Sequence, residues 1–376
     1  MHMILRVAAL LATLCLAPAV LADVPKPSVA ARAWLLMDVS SGQTLDANNA
    51  DERVEPASLT KLMTAYLVFS ALQEKRLTLE QQVPVSEKAW KAGGSRMFIQ
   101  PRLPVTVGEL IQGMIVQSGN DACIALAEAV AGSEETFAAL MNKEAKRLGM
   151  ANTSFTNSSG LPDPKHYTTA RDLGLLVSAL IRDFPEQYRY YSMKEYRYNN
   201  ITQQNRNRLL WLDPNVDGVK TGHTDAAGYC LVASARRGER RVLSVVLGAR
   251  SESARAQESQ KLLNHGFLMY DAVRLYERGK AISQVPVWKG SDNTVTASVP
   301  VDLYVTVPKG EGDKVKAELV SQQPLVAPIS AGQRVGTIRV SMDGKLVREY
   351  PAVALQNVGV AGIFGRAWDT MRMWLN

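Results

Sequence analysis

The sequence is poor in the residues that build metal and redox centres: 376 residues hold only three cysteines and four histidines. No His/Cys/Asp/Glu cluster has the spacing of a metal site, and no glycine-rich phosphate loop follows a strand, so no metal or other cofactor is implied. Cys15 falls in an N-terminal stretch that reads as removed, which leaves Cys123 and Cys230, too few and too far apart for a disulfide framework. They read as buried free thiols, with a single bridge between them as the alternative in an oxidising compartment. Runs of Lys and Arg and aromatic-studded basic motifs are also missing, so the formal net charge of +7 does not point to nucleic acid.

What is present is a globular composition: 46% hydrophobic residues over a length that suits two domains better than one. The opening MHMILRVAALLATLCLAPAVLA has a charged Arg6, an apolar run from Val7 to Leu16, and Val20 and Ala22 before Asp23, the pattern of a cleaved secretory signal over 1–22. The run is too short, and too broken by Pro18, for a membrane span. Cleavage removes Arg6 and takes the formal charge from +7 to +6. In an exported protein this balance directs attention to anionic lipid or cell wall.

From 23 to about 281 strand-like and helical patterns mix. Ala33–Asp38 (AWLLMD), the turn Ser40-Ser41-Gly42 and Thr44–Asp46 read as a hairpin. Leu59–Leu72 is apolar on nearly every side, a buried helix. Further helices are expected at Val107–Val116, Ala122–Ala131, Glu134–Leu148 and Ala170–Ile181, the last opened by Thr169 with Asp172 three residues on. Tyr229–Ala235 and Val242–Ala249 flank Arg237-Gly238 as adjacent antiparallel strands. From 282 to 357 short β-branched segments separated by Pro and Gly predict a small all-β domain. From 358 to 376, Val360, Ile363, Phe364, Ala367, Trp368, Met371, Trp374 and Leu375 recur at helical spacing opposite Arg366, Asp369, Thr370 and Arg372. This amphipathic helix is too short and too charged to span a bilayer; it either docks on its own domain or lies in a membrane surface.

Three short motifs carry chemistry. Ser58-Leu59-Thr60-Lys61 puts a hydroxyl and an amine on one side of a helix turn, and such a lysine activates its serine once its ammonium loses a proton. Ser118-Gly119-Asn120 follows an apolar helix and can present a hydroxyl and a carboxamide to a cleft. Lys220-Thr221-Gly222, with His223 next, suits an edge strand where glycine lets a ligand backbone approach. Each is common alone. In this order they match the Ser-x-x-Lys, S-D-N and K-T-G set of penicillin-binding proteins and class A β-lactamases. A literal S-D-N at Ser291-Asp292-Asn293 follows Lys220 and reads as a surface turn of the β domain.

EPASLTKLMT around Ser58, VQSGNDACIALAE around Ser118, NSSGLPDPKHYTTARDL, and NVDGVKTGHTDAAGYCLVASA around Lys220 extend the match well beyond the motifs. The chain resembles the low-molecular-mass penicillin-binding proteins of the penicillin-binding protein 5 type, serine D-Ala-D-Ala carboxypeptidases. The resemblance covers nearly everything from signal to anchor. It implies an α/β (α+β) penicillin-recognising, β-lactamase-like domain, a small β-sandwich-like domain and a membrane-anchoring helix. It also implies a peptidoglycan pentapeptide substrate, covalent inhibition by β-lactams, and a periplasmic location on the inner membrane. By this resemblance Ser58 forms the acyl-enzyme, Lys61 takes its proton and lies under the influence of Lys220, and Ser118 relays a proton to the leaving D-alanine. Asn120 holds the substrate amide, Thr221 lies near the terminal carboxylate, and the backbone N–H groups of Ser58 and His223 form the oxyanion hole. Gly93-Gly94-Ser95-Arg96 resembles the family's loop beside the site.

Arg255 and Arg206 stand where similar enzymes bring arginines to the cleft, against the alternative of ordinary surface charge. Asp183 is either a partner behind the site or a helix-end residue before Phe184-Pro185. His166 reads as a loop residue, and Cys123 as non-catalytic. A class A β-lactamase is disfavoured because no Glu-x-x-Leu-Asn lies between Asn120 and Lys220. An endopeptidase acting on D-alanyl-diaminopimelate cross-links stays open. A non-catalytic cell-wall scaffold is disfavoured by the intact set of motifs.

Overall fold

The computed structural model describes residues 24–375, so the expected signal over 1–22 lies outside the described residues. Strands β1 (Ala33–Asp38), β2 (Gln43–Asn48), β3 (Val216–Thr224), β4 (Gly228–Arg237) and β5 (Arg240–Ala249) form an antiparallel sheet in the order β2-β1-β5-β4-β3. The β1 segment is apolar from Ala33 to Met37 because both faces of the sheet are covered. Leu35 and Met37 join one core, Trp34 and Leu36 the other, as a strand's alternation requires.

The helical middle of the chain is one long excursion between β2 and β3. Helices α1 (Lys61–Gln73), α2 (Val107–Val116), α3 (Asn120–Ala131), α4 (Glu134–Arg147) and α5 (Ala170–Asp183) cover the first face. α2 opens with a reciprocal capping box between Thr106 and Glu109. At α5 only half of that device forms: the Thr169 hydroxyl accepts from Asp172 N, but the Asp172 carboxylate accepts from Asn152 N and Thr153 Oγ1 instead.

The second face is covered by α6 (Glu252–Met269), which the sequence reading passes over. Its apolar positions, Ala256, Leu262, Leu263 and Phe267, are diluted by Arg, Gln and Glu. Two local signals mark it: Ser251 caps it by accepting from Ala254 N, and Gly266 lies where a Cβ would meet Val242 at 2.8 Å.

The C-terminal unit contains β6 (Tyr270–Tyr276), β7 (Ser283–Pro286), β8 (Thr294–Ser298), β9 (Leu303–Pro308), β10 (Val315–Ser321), β11 (Arg334–Met342) and β12 (Lys345–Ala354). Five strands form an antiparallel sheet, β7-β8-β12-β11-β10, and β6 pairs with β9. The expected boundary at 281/282 therefore needs correction, because β6 precedes it yet pairs inside the β unit. The sequence hides this change because α6 ends at Met269 and β6 begins at Tyr270, with no Gly or Pro between them.

Thr306 of β9 binds the β1–β2 hairpin: its N–H donates to Gln43 Oε1 at 2.7 Å, its carbonyl accepts from Gln43 Nε2, and its hydroxyl pairs with Ser41 Oγ. The hairpin lies on the β2 side of the sheet, opposite the β3 edge that bears Lys220 and Thr221. Ser291-Asp292-Asn293 is an exposed turn. Helix α7 (Ile363–Leu375) closes the described chain.

Candidate active site

Ser58 lies in a 3-10 turn, Ala57–Thr60, that runs directly into α1. The turn is tight: Ala57 has φ +48, a region that L-residues with a Cβ rarely adopt. Neighbouring backbone holds it there. A Cβ on Gly160 would come within 1.8 Å of the Ala57 carbonyl oxygen, and one on Gly222 within 3.0 Å of the Pro56 oxygen. The space expected at Gly222 for a ligand backbone is thus partly occupied by the nucleophile's own turn.

Lys61, on the first turn of α1, is 2% exposed, and its Nζ lies 3.0 Å from Ser58 Oγ, 2.7 Å from Asn120 Oδ1 and 2.6 Å from the Ser159 carbonyl oxygen. The last two can only accept. The Asn120 amide is oriented by its Nδ2, which donates to the Gly93 carbonyl at 2.7 Å. A neutral Lys61 therefore commits both of its hydrogens and has its lone pair left for the Ser58 hydroxyl. Burial pushes Lys61 below the usual lysine range, which favours that neutral form.

Ser118 occupies the short link between α2 and α3 at φ +69, and its Oγ accepts from Lys220 Nζ at 2.9 Å. Lys220 reaches it from edge strand β3, is itself buried, and also donates to the Thr221 carbonyl at 3.2 Å. Lys220 is held well below its ordinary range, first by burial and then by repulsion from Lys61. Two ammonium groups buried this close cannot both stay charged at little cost. Asp121 does not neutralise them by pairing: its carboxylate accepts the backbone N–H groups of Met97, Phe98, Ile99 and Ala122.

Ser58, Ser118, Asn120, Thr221, Gly222, His223, Arg206 and Arg255 all line one cleft of about 650 Å³. Arg255, projecting from the start of α6, is 5% exposed, donates to the Gly222 carbonyl and lies over the Tyr229 ring. It is not an ordinary surface charge. Arg206 is exposed at the rim. The exposed His223 stacks on Tyr229 with ring centres 4.1 Å apart.

A sequence profile described as D-alanyl-D-alanine carboxypeptidase, peptidase S11, matches residues 21–251. The chain belongs to this family. A second profile, the C-terminal domain of penicillin-binding protein 5, matches residues 270–360 and agrees with a β unit beginning at β6. The chain is 46% identical to D-alanyl-D-alanine carboxypeptidase DacC of Escherichia coli over 93% of its own length and 90% of that protein's. Penicillin-binding protein 5 from Haemophilus influenzae superposes with a TM-score of 0.84 at 41% identity, covering 90% of this chain and all of that one. Penicillin-binding protein D2 of Listeria monocytogenes in its ampicillin-bound form has a TM-score of 0.60 at 33% identity, covering 65% of this chain and 99% of that one. The catalytic fold thus exists without the β unit.

Several residues of this S11 site carry no motif. Ser159 contributes its carbonyl to Lys61, and it is placed by Asn157, whose Oδ1 accepts the N–H groups of Ser159, Gly160 and Leu161. The asparagine that heads Asn157-Ser158-Ser159-Gly160 is a turn signal that could have found it. The 93–96 loop is anchored, since Ser95 O accepts from Asn120 N at 2.7 Å and Gly93 O takes the Asn120 amide. His166 is structural. Its Nδ1 accepts from Thr156 N, so Nε2 carries the proton toward Thr60 Oγ1 at 2.8 Å, and burial lowers its pKa to about 4. Asp183 is the helix-end residue, accepting from Tyr66 Oη and pairing with Arg182. Cys123 and Cys230 are both free and buried; burial raises the Cys123 thiol to about 12, which makes it a neutral packing group.

Proposed function

We propose that this D-alanyl-D-alanine carboxypeptidase removes the terminal D-alanine of peptidoglycan pentapeptide stems through an acyl-enzyme on Ser58. The observation that carries the reading is the hydrogen-bond accounting at Lys61, which leaves only Ser58 to meet a neutral amine's lone pair.

The substrate backbone pairs along the edge of β3, and its terminal carboxylate meets Arg255 and Arg206 near Thr221. Lys61 takes the Ser58 proton as Oγ attacks the D-alanyl carbonyl. The N–H groups of Ser58 and His223 receive the developing oxyanion. Ser118, held by Lys220, passes a proton to the departing D-alanine nitrogen. Water then hydrolyses the ester, with Lys61 again the base. Asn120 serves chiefly to hold Lys61, while its second amide hydrogen is left for the substrate amide. β-Lactams enter the same path and leave Ser58 slowly.

The first 22 residues export the protein to the periplasm, and α7 holds it to the outer face of the inner membrane. Support for the anchor lies in how α7 is turned. Its polar side meets the β unit, with Asp369 accepting from Lys289 N and Arg372 over Trp288. Ile363, Phe364, Trp368 and Met371 are exposed, Phe364 by 91%. A helix packed for its own domain would turn the other way.

The test is D-alanine release from a pentapeptide ending in D-Ala-D-Ala by the full chain and by Ser58→Ala. Release that vanishes in the variant supports the reading; release that survives in it removes Ser58 from the chemistry.

A further inference from the structure

Two neighbouring segments beside the cleft carry an unbalanced charge. The loop at 93–104 and the stretch at 194–208 contain six Lys or Arg and one acid, Glu195. The loop borders the cleft through Gly94 and Ser95, and the stretch borders it through Arg206. They are joined where Gln203 Nε2 donates to the Arg96 carbonyl at 3.4 Å. Strands Glu195–Tyr198 and Ile201–Gln204 form a hairpin closed by Asn199 and Asn200, both at positive φ as a two-residue turn requires. Arg197 pairs with Thr202 in this hairpin, four residues from Arg206, and so stands roughly 13 Å out from the cleft at strand spacing.

Among the described residues none of the six cations lies within 4.0 Å of a carboxylate oxygen. Exposed arginines elsewhere are paired, Arg32 with Glu52, Arg171 with Asp51 and Arg339 with Glu349. Asp121 is no partner for the loop's arginines, because it accepts the N–H groups of Met97, Phe98 and Ile99. Those bonds fix the loop, and Arg102 and Arg197 are held out in solvent. Phe98, Leu103 and Ile201 are also exposed on these segments, with the Arg96 guanidinium over the Phe98 ring. A fixed surface of like charges with apolar side chains among them is complementary to an anionic ligand that has methylene groups.

We infer that this basic surface binds the peptidoglycan polymer, through free carboxylates on stems adjacent to the one being trimmed. The inference rests on the proposed function, which makes a stem the occupant of the cleft. Stems recur along a glycan strand. Each carries a free carboxylate on its glutamyl residue, and a second where its third residue is diaminopimelate. A soluble pentapeptide offers a single stem, which the cleft takes up. The polymer offers neighbours as well, kept close by the strand that joins them. One exposed ion pair is weak, but several made to a tethered ligand add up to a measurable gain in affinity. An anionic membrane fits less well, because the surface borders the cleft, where the polymer must arrive.

The experiment uses the full chain in detergent. D-alanine release is measured from a soluble D-Ala-D-Ala pentapeptide and from pentapeptide-rich sacculi, and sedimentation with those sacculi is measured in a Ser58→Ala background. The double variant Arg102→Gln, Arg197→Gln should bind sacculi about tenfold more weakly and lose about tenfold in kcat/KM on them, with kcat/KM on the pentapeptide unchanged. Arg102→Lys with Arg197→Lys, which keeps the charge, should recover most of the loss, and added salt should bring wild type down to the glutamine variant. Equal sedimentation of wild type and glutamine variant overturns the surface, as does an equal fall on both substrates. A glutamine variant that loses affinity for anionic lipid vesicles but not for sacculi also overturns it and gives the surface to the membrane. Salt-dependent, charge-dependent sedimentation with no D-alanine from either substrate would instead overturn the carboxypeptidase reading and keep the surface.

Discussion

The catalytic cleft and helix α7 depart from ordinary burial in opposite directions. The cleft sinks two lysines out of water, whereas α7 holds Phe364 and Trp368 in it. Both arrangements are costly in an isolated soluble protein, and each shows what compensates it. At Lys61 the compensation is internal: two fixed acceptors, with burial shifting the amine toward its neutral form. On α7 the polar side is met by the β unit, and the compensation for the rest is external, from whatever covers the exposed apolar face, which the proposed function takes to be the membrane.

The largest expected effect breaks the cleft's side of this contrast. Lys61→Ala removes the base and should slow acylation of Ser58 by a fluorescent penicillin by about a thousandfold, with the thermal midpoint changed far less. A loss of only a few-fold would mean that another group takes the serine proton.

Next in size is an acid limb of stability set by His166. Above about pH 6.5 the folded and unfolded chains both hold it neutral; below that the unfolded chain takes up a proton that the folded site refuses until about pH 4. Stability should therefore fall by about 3 kcal/mol as pH drops from 6.5 to 4, by the free energy of a pKa shift of that size. Denaturant titrations at a series of pH values would measure it, and His166→Gln should flatten that part of the profile.

The smallest effect sharpens the other side. Phe364→Ser should weaken binding to anionic lipid vesicles about tenfold, on the scale of one buried aromatic side chain, and leave D-alanine release in detergent unaltered. Equal vesicle binding by wild type and variant would assign the exposed face of α7 to another partner.

Much of the site was legible because its motifs are local. Ser58 and Lys61 share one helical turn, and Lys220-Thr221-Gly222 lies on one strand. The loops between them were not legible: the Ser159 carbonyl that meets Lys61 and the Gly93 carbonyl that orients Asn120 act through backbone atoms, which every residue possesses. Arg255 stayed ambiguous for a related reason. Its burial depends on α6, a helix whose apolar spacing is diluted by polar residues, and on the Tyr229 ring beneath it.

The sequence by itself determined most of the elements, α6 and β6 excepted, the order of the motifs and the amphipathic end, because periodicity and capping are properties of neighbouring residues. Only the tertiary structure decided where the β unit begins, which acceptors hold Lys61, and which face of α7 is left uncovered. Those depend on atoms brought together from distant segments, and no local pattern records which segments will meet.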